Sequence, residues 1–174
     1  AMAAGAHLIN DIRALEAPGA LAAAAEAQVP VCLMHMQGAP RTMQQAPHYE
    51  NLLGEVHAYF AQRIAACVAA GIPRERLILD PGFGFGKTLD QNYELLARLD
   101  EFADFQLPLL VGMSRKSMVG QLLERPVEAR LAGSLALALY ASRRGAHIIR
   151  VHDVQETVDA LRIFSYADQF RTQR

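Results

Sequence analysis

The sequence predicts an α/β protein with parallel strands: part of a (β/α)8, or TIM, barrel made of five consecutive βα units. Three observations lead there. Short apolar, partly β-branched runs recur five times, helical periodicity fills the intervals, and every run ends in polar residues. An open doubly wound sheet gathers its ligand at one switch point, whereas polar tips on all five strands suit a barrel mouth.

The runs are HLINDI (7–12), VPVCLMHM (29–36), RLILDPG (76–82), LPLLVGMSR (107–115) and AHIIRVHD (146–153). Pro18 suits the first turn of the helix after the first run. Leu53, Val56, Phe60, Ile64 and Cys67 keep the three-and-four spacing of one helix face. The same spacing joins Leu89, Tyr93, Leu96, Leu99 and Phe102, with Thr88 and Gln91 as a capping box. Leu131, Leu135 and Leu139 mark a further helix; Val154, Val158, Leu161 and Phe164 mark the last. Gly71 and Gly145 stand where helices end in a left-handed residue.

The 174 residues suit one domain over 1–174, 52% hydrophobic and 20% charged, as a folded protein should be. A net charge of -1 gives no reason to expect nucleic acid or an anionic membrane as partner. Cys32 and Cys67 are far apart within apolar segments and read as reduced, buried thiols. The start, AMAAGAHLIND, lacks the pattern of a signal peptide, and no apolar run approaches a membrane span. A cytoplasmic location is expected.

The stretch LILDPGFGFGKT (77–88) invites a nucleotide reading that its details refuse. A Walker A motif needs glycine where Pro81 stands, and proline offers neither an N–H nor a positive φ. The dinucleotide pattern fails as well, with Lys87 at its third glycine. What remains is a strand-terminal carboxylate, Asp80, able to accept two parallel N–H bonds from an amidine-like ring edge. Phe83 and Phe85, carried by the glycines, are expected to cover a flat ligand; the alternative is a capping aspartate with two core phenylalanines.

GMSRKS (112–117) puts a small residue, a hydroxyl and two cations at the next strand end. Lys116 suits a ring carbonyl, its stem lying over an aromatic face. In IIRVHD, Arg150 and His152 share one side of the strand and suit a diphosphate, although a lone histidine is more often structural. Asn10 and Asp11 end the first strand as ligands or turn caps. Met34 and Met36 flank His35, either as core residues or against a planar ligand. No covalent nucleophile motif occurs, so transfer by positioning and charge stabilisation is favoured.

Together HLINDIRAL, PVCLMHMQGAPRTMQ, LILDPGFGFGKTLDQNYELLARL, PLLVGMSRKSMVGQLL and GAHIIRVHDVQET resemble the C-terminal two-thirds of bacterial dihydropteroate synthases. The resemblance implies a barrel enzyme of folate synthesis that joins 6-hydroxymethyl-7,8-dihydropterin diphosphate to p-aminobenzoate, and it implies a sulfonamide target. It places Asp80 and Asn10 on the pterin's nitrogen edge, Lys116 on its carbonyl side, and Met34 and Gly112 along the slot. Arg150 and His152 hold the diphosphate; Ser114, Arg115 and the Phe83–Gly84–Phe85 loop belong to the p-aminobenzoate region. The family's Mg²⁺ ligand lies in an N-terminal loop with no counterpart here, so no metal ligand is expected in this chain and its unaided turnover is expected to be weak or nil. A homodimer through the C-terminal helices is implied. The alternatives are a non-catalytic half-barrel that pairs its open edges with another chain, and a pterin-binding methyltransferase.

Overall fold

Strand pairing follows the order of the apolar runs. The structure, a computed structural model, describes residues 2–38 and 47–170. The strands are β1 (Ile9–Asp11), β2 (Val31–Met34), β3 (Leu77–Asp80), β4 (Leu110–Val111) and β5 (Ile148–Ile149). The helices are α1 (Ala20–Ala27), α2 (Leu52–Ala69), α3 (Leu89–Ala97), α4 (Ser117–Leu123), α5 (Leu131–Arg143) and α6 (Val154–Asp168). The protein is α/β, and among the described residues the strand pairings are parallel: β1 with β2, β2 with β3, and β4 with β5. One parallel bridge, Leu79 beside Leu109, joins the two groups. Among the described residues the sheet does not close on itself.

Each strand separates two environments by alternation. Val31, Leu33, Leu77, Leu79, Leu109 and Val111 point into the main core, with Val56, Phe60 and Ile64 of α2 and Leu95 and Leu96 of α3. Cys32, Ile78 and Leu110 form a small cluster on the opposite face. Both faces are therefore covered, as expected for runs without polar alternation. The Thr88–Gln91 capping box forms, and Gly71 and Gly145 are left-handed at φ 85° and 90°.

Several expectations are corrected. The strands are shorter than the apolar runs, so most of the polar tips lie in loops beyond the last ladder pair. Pro18 precedes α1, whose first residue is Ala20 after a left-handed Gly19. The helix expected through Phe102 breaks at Arg98 and continues as a 3-10 segment, Leu99–Phe105. Two helices rather than one follow β4, separated at Pro126. On α5 the buried face is Ser134, Leu137, Ala138 and Ala141; the Leu131–Leu135–Leu139 stripe lies one residue step, about 100°, around the helix and is half-buried. On α6 only Thr157 is buried, and Val154 is 61% exposed. No described helix is long and apolar enough to cross a membrane. Residues 39–44 of the PVCLMHMQGAPRTMQ stretch lie outside the described residues.

Candidate active site at the strand ends

Register decides which side chains meet. Met34 pairs with Asp80, two residues above the Cys32–Ile78 pair on the same face. Gly112 stands two residues above Leu110, and the Arg150 N–H donates to the Val111 carbonyl at 2.8 Å. Met34, Asp80, Gly112 and Arg150 thus top one continuous face. Asn10 shares that face but pairs with Cys32, one level lower and two strands from Asp80. Its neighbour Asp11 caps a turn, accepting the N–H groups of Arg13 and Leu15.

Asp80 is 2% exposed, and its Oδ1 accepts the Gly82 N–H at 2.8 Å. The glycine loop then folds back over the end of β2. Cβ atoms at Gly82 and Gly86 would meet the carbonyl oxygens of His35 and Gln37 at 1.9 and 2.4 Å. These glycines therefore serve close backbone approach. Asn92 of α3 accepts the Gly84 N–H and donates to the Lys87 and Thr88 carbonyls. Lys87, buried, donates from Nζ to Gly82 O, Phe85 O and His35 Nδ1. Phe83 is fully buried in the main core, so the expectation of two phenylalanines moving over the site is corrected. Phe85 is half-buried, with the Lys116 ammonium 4.8 Å from its ring centroid.

The second half of the site is the loop after β4. Lys116 donates to the Phe83 carbonyl at 2.6 Å, tying this loop to the first. Arg115, left-handed at φ 55°, is held by Ser134 Oγ at its N–H and by Arg130 at its carbonyl. Its guanidinium grips Asp153 with two bonds, Nε to Oδ2 at 3.0 Å and Nη2 to Oδ1. Ser114 Oγ accepts the His152 N–H at 3.2 Å and lies 3.0 Å from His152 Nδ1. The Arg150 guanidinium lies over Gly112, where a Cβ would meet Nη2 at 2.9 Å. Gly112, Ser114, Lys116, Arg150, Val151 and His152 line one small open cleft of ≈ 140 Å³.

Electrostatics divide this cleft. Burial pushes the Asp80 carboxyl above its ordinary range, opposed by the Gly82 N–H and by Lys116, Arg150 and Lys87. Burial pulls Lys116 down to about 8, while Asp80 holds it up. Burial, with Lys87 beside it, takes His35 down to about 3, so it is a neutral acceptor at pH 7. One buried carboxylate thus lies within electrostatic reach of Lys116 and Arg150, which line the cleft together with the exposed His152.

The structure gathers Asp80, Met34, Gly112, Ser114, Lys116, Arg150 and His152 at the strand ends. It places Asn10 at the β1 edge, Phe83 in the core, and the Arg115 charge on Asp153. Sequence reasoning missed Lys87, Asn92, Arg130 and Ser134, which support the two loops from behind. A lysine in a glycine loop gave only one signal, its failure to fit a phosphate-binding motif. A larger hollow of ≈ 600 Å³ lies at the opposite strand ends, lined by residues such as Asp100, Arg143 and His147. None of the predicted site residues reaches it.

Comparison with known proteins shows the family to which the chain is related. The model of the family described as "Pterin binding enzyme" matches residues 1–152. The dihydropteroate synthase of Escherichia coli K12 is 65% identical over 159 residues, covering 91% of this chain and 56% of that protein. A Yersinia pestis dihydropteroate synthase, solved as a sulfonamide drug complex, superposes with a TM-score of 0.95 at 58% identity over 97% of this chain and 61% of that one. A Xanthomonas albilineans dihydropteroate synthase in complex with 7,8-dihydropteroate gives a TM-score of 0.89 at 48% identity, over 95% and 62%. The chain therefore spans somewhat more than half the length of the relatives it matches.

Proposed function

The chain belongs to the pterin-binding enzyme family, and from that premise we propose that it forms part of a dihydropteroate synthase. The reaction joins 6-hydroxymethyl-7,8-dihydropterin diphosphate to p-aminobenzoate and releases diphosphate. One observation carries the reading: a buried carboxylate, Asp80, lies beside Met34 and within electrostatic reach of Lys116, with the Arg150–His152 pair in the adjoining cleft. A neutral ring with an amidine edge and an anionic tail fits that division. A pterin-dependent methyl transfer would leave the cationic pair without an anion to hold.

In this mechanism Asp80 accepts the ring's N–H groups and Lys116 donates to its carbonyl side. The exocyclic CH2–O bond breaks, and its electron pair leaves with diphosphate, whose charge Arg150 and His152 offset. Asp80 favours the resonance-stabilised cation left on the ring. The amine nitrogen then forms the C–N bond and gives its proton to solvent or to the departing diphosphate. Holding both rings in line supplies much of the remaining rate. Asn10 is assigned to the ring edge, and Ser114, Arg115, Gly84 and Phe85 to the p-aminobenzoate side, where sulfonamides would compete.

The resemblance also implies Mg²⁺. Among the described residues no group of three or more His, Cys, Asp or Glu could hold a metal ion, and Asp153 is committed to Arg115. These residues do not fit Mg²⁺, and its protein ligand is proposed to lie outside them. The fold is read as five βα units of a TIM barrel, with the β1 and β5 edges completed by strands from elsewhere. A homodimer through α5 and α6 is supported by exposed Tyr140, Ile163 and Tyr166. Two buried free thiols suit a reducing cytoplasm.

The test is diphosphate release from the substrate pair, with pterin and diphosphate titrated separately. Asp80→Asn should weaken pterin binding at least tenfold, and Arg150→Ala should do the same for diphosphate. Unchanged affinities in both variants would overturn the assignment.

A further inference from the structure

Lys87 does not line the cleft, yet it is one of the most deeply buried charged residues of the chain, at 2% exposure. A lysine in an ordinary surface loop turns its ammonium to water, because burying it costs several kcal/mol unless its donors are matched. Here all three donors have acceptors: His35 Nδ1 at 3.0 Å, Gly82 O at 3.0 Å and Phe85 O at 3.2 Å. Since Nζ donates, Nδ1 is the bare nitrogen of His35 and its proton sits on Nε2. The seat is itself fixed. The His35 N–H donates to the Asp80 carbonyl at 2.9 Å, and its ring packs edge-on to Tyr59 and Phe60.

The groups that Lys87 holds are those that set the cleft. Gly82 offers its carbonyl to Lys87 and its N–H to Asp80 Oδ1. Between the two carbonyls gripped by Lys87 lies Phe83, whose own carbonyl receives Lys116. Resting on the pterin reading of the site, we propose that Lys87, seated on His35, is a positioning residue that fixes the glycine loop so that Asp80 and Lys116 address one planar ring. A methionine could fill the same volume but would leave the Gly82 and Phe85 carbonyls without this donor. The charged groups facing Asp80 are Lys87 from its own loop, Lys116 after β4 and Arg150 after β5, with neutral His35 beside Lys87 on β2's end. Lys87 sits on the protein side of Asp80; burial takes it down to about 7 while the Asp80 carboxylate holds it up, so it carries its charge below that pH.

The experiment compares the chain with Lys87→Met, Lys87→Arg and Asp80→Asn. Pterin and inorganic diphosphate are titrated calorimetrically, and the Asp80 carboxyl carbon is followed by 13C NMR against pH. Lys87→Met should weaken pterin at least tenfold, leave diphosphate within threefold, and raise the Asp80 midpoint by at least one pH unit. Lys87→Arg keeps the charge but cannot place one nitrogen among three acceptors, so a three- to tenfold loss for pterin with little change in the midpoint is expected. Folded Lys87→Met with pterin affinity within twofold and an unmoved midpoint would overturn the inference. If Lys87→Met does not fold, pterin affinity within twofold in Lys87→Arg would overturn it instead. If Asp80→Asn binds pterin like the parent, the ring assignment of Asp80 fails, and the midpoint in Lys87→Met still decides the role of Lys87.

Discussion

Gly82 lies so close to the His35 carbonyl that a methyl group on it would meet that oxygen at 1.9 Å. Its φ of 72° adds a second demand for glycine. Gly82→Ala must lift the loop from the end of β2, and about 3 kcal/mol or more of stability should be lost. Gly84 is also left-handed, but its Cβ would find only Lys116 Cδ at 3.5 Å, an ordinary contact. Gly84→Ala should cost about 1 kcal/mol. Urea denaturation of both variants measures the contrast, and equal losses would refute the close-approach argument.

His35 makes the fold acid-sensitive. Its folded pKa of about 3 lies below the ordinary 6.5, so the unfolded chain binds the extra proton between those values. The stabilisation is complete above pH 6.5 and is lost as pH falls towards 3, on the order of 5 kcal/mol in all. His35→Gln, which retains an acceptor for Lys87, should flatten this part of the profile. Denaturation midpoints from pH 7 to 3.5 check it.

At Gly112 the cost should fall on binding rather than folding. A Cβ there would meet Arg150 Nη2 at 2.9 Å, and that flexible side-chain end can swing away. Gly112→Ala should change stability by less than about 1 kcal/mol. Diphosphate affinity should drop at least tenfold, because the guanidinium no longer lies over the cleft floor. Calorimetry with diphosphate beside a thermal melt separates the two effects.

Ser114→Ala removes the oxygen beside His152 Nδ1 and the acceptor of its backbone N–H. A stability loss of about 1 kcal/mol is expected. The freed imidazole should weaken diphosphate severalfold and leave pterin unchanged. A pterin effect as large as the diphosphate effect would place Ser114 on the ring instead.

The architecture was legible where periodicity carried it. Apolar runs buried on both faces revealed the parallel strands, and strand-end polarity pointed to Asp80, Lys116, Arg150 and His152. Strand lengths were not legible, because Arg150 and Ser114 belong to continuous β-branched or apolar runs although the ladder stops before them. Phe83 was misjudged because a phenylalanine between glycines reads as mobile, whereas three-dimensional packing sends it to the core. Lys87 was invisible for the opposite reason: composition puts lysine outside, and only long-range contact with His35, 52 positions earlier, brings it in. Arg130 and Ser134 act through backbone groups of a loop 15 to 19 residues away, a relation that no local pattern encodes.

Cys32 lies on the Asp80 face, two residues below Met34, and is fully buried. Burial and the nearby carboxylate push its thiol up to about 12. At pH 8 it offers alkylating reagents almost no thiolate and no access. A folded chain should therefore keep this sulfur unmodified, and the rate of its capture by iodoacetamide becomes an internal clock for how often the floor beneath the site comes apart.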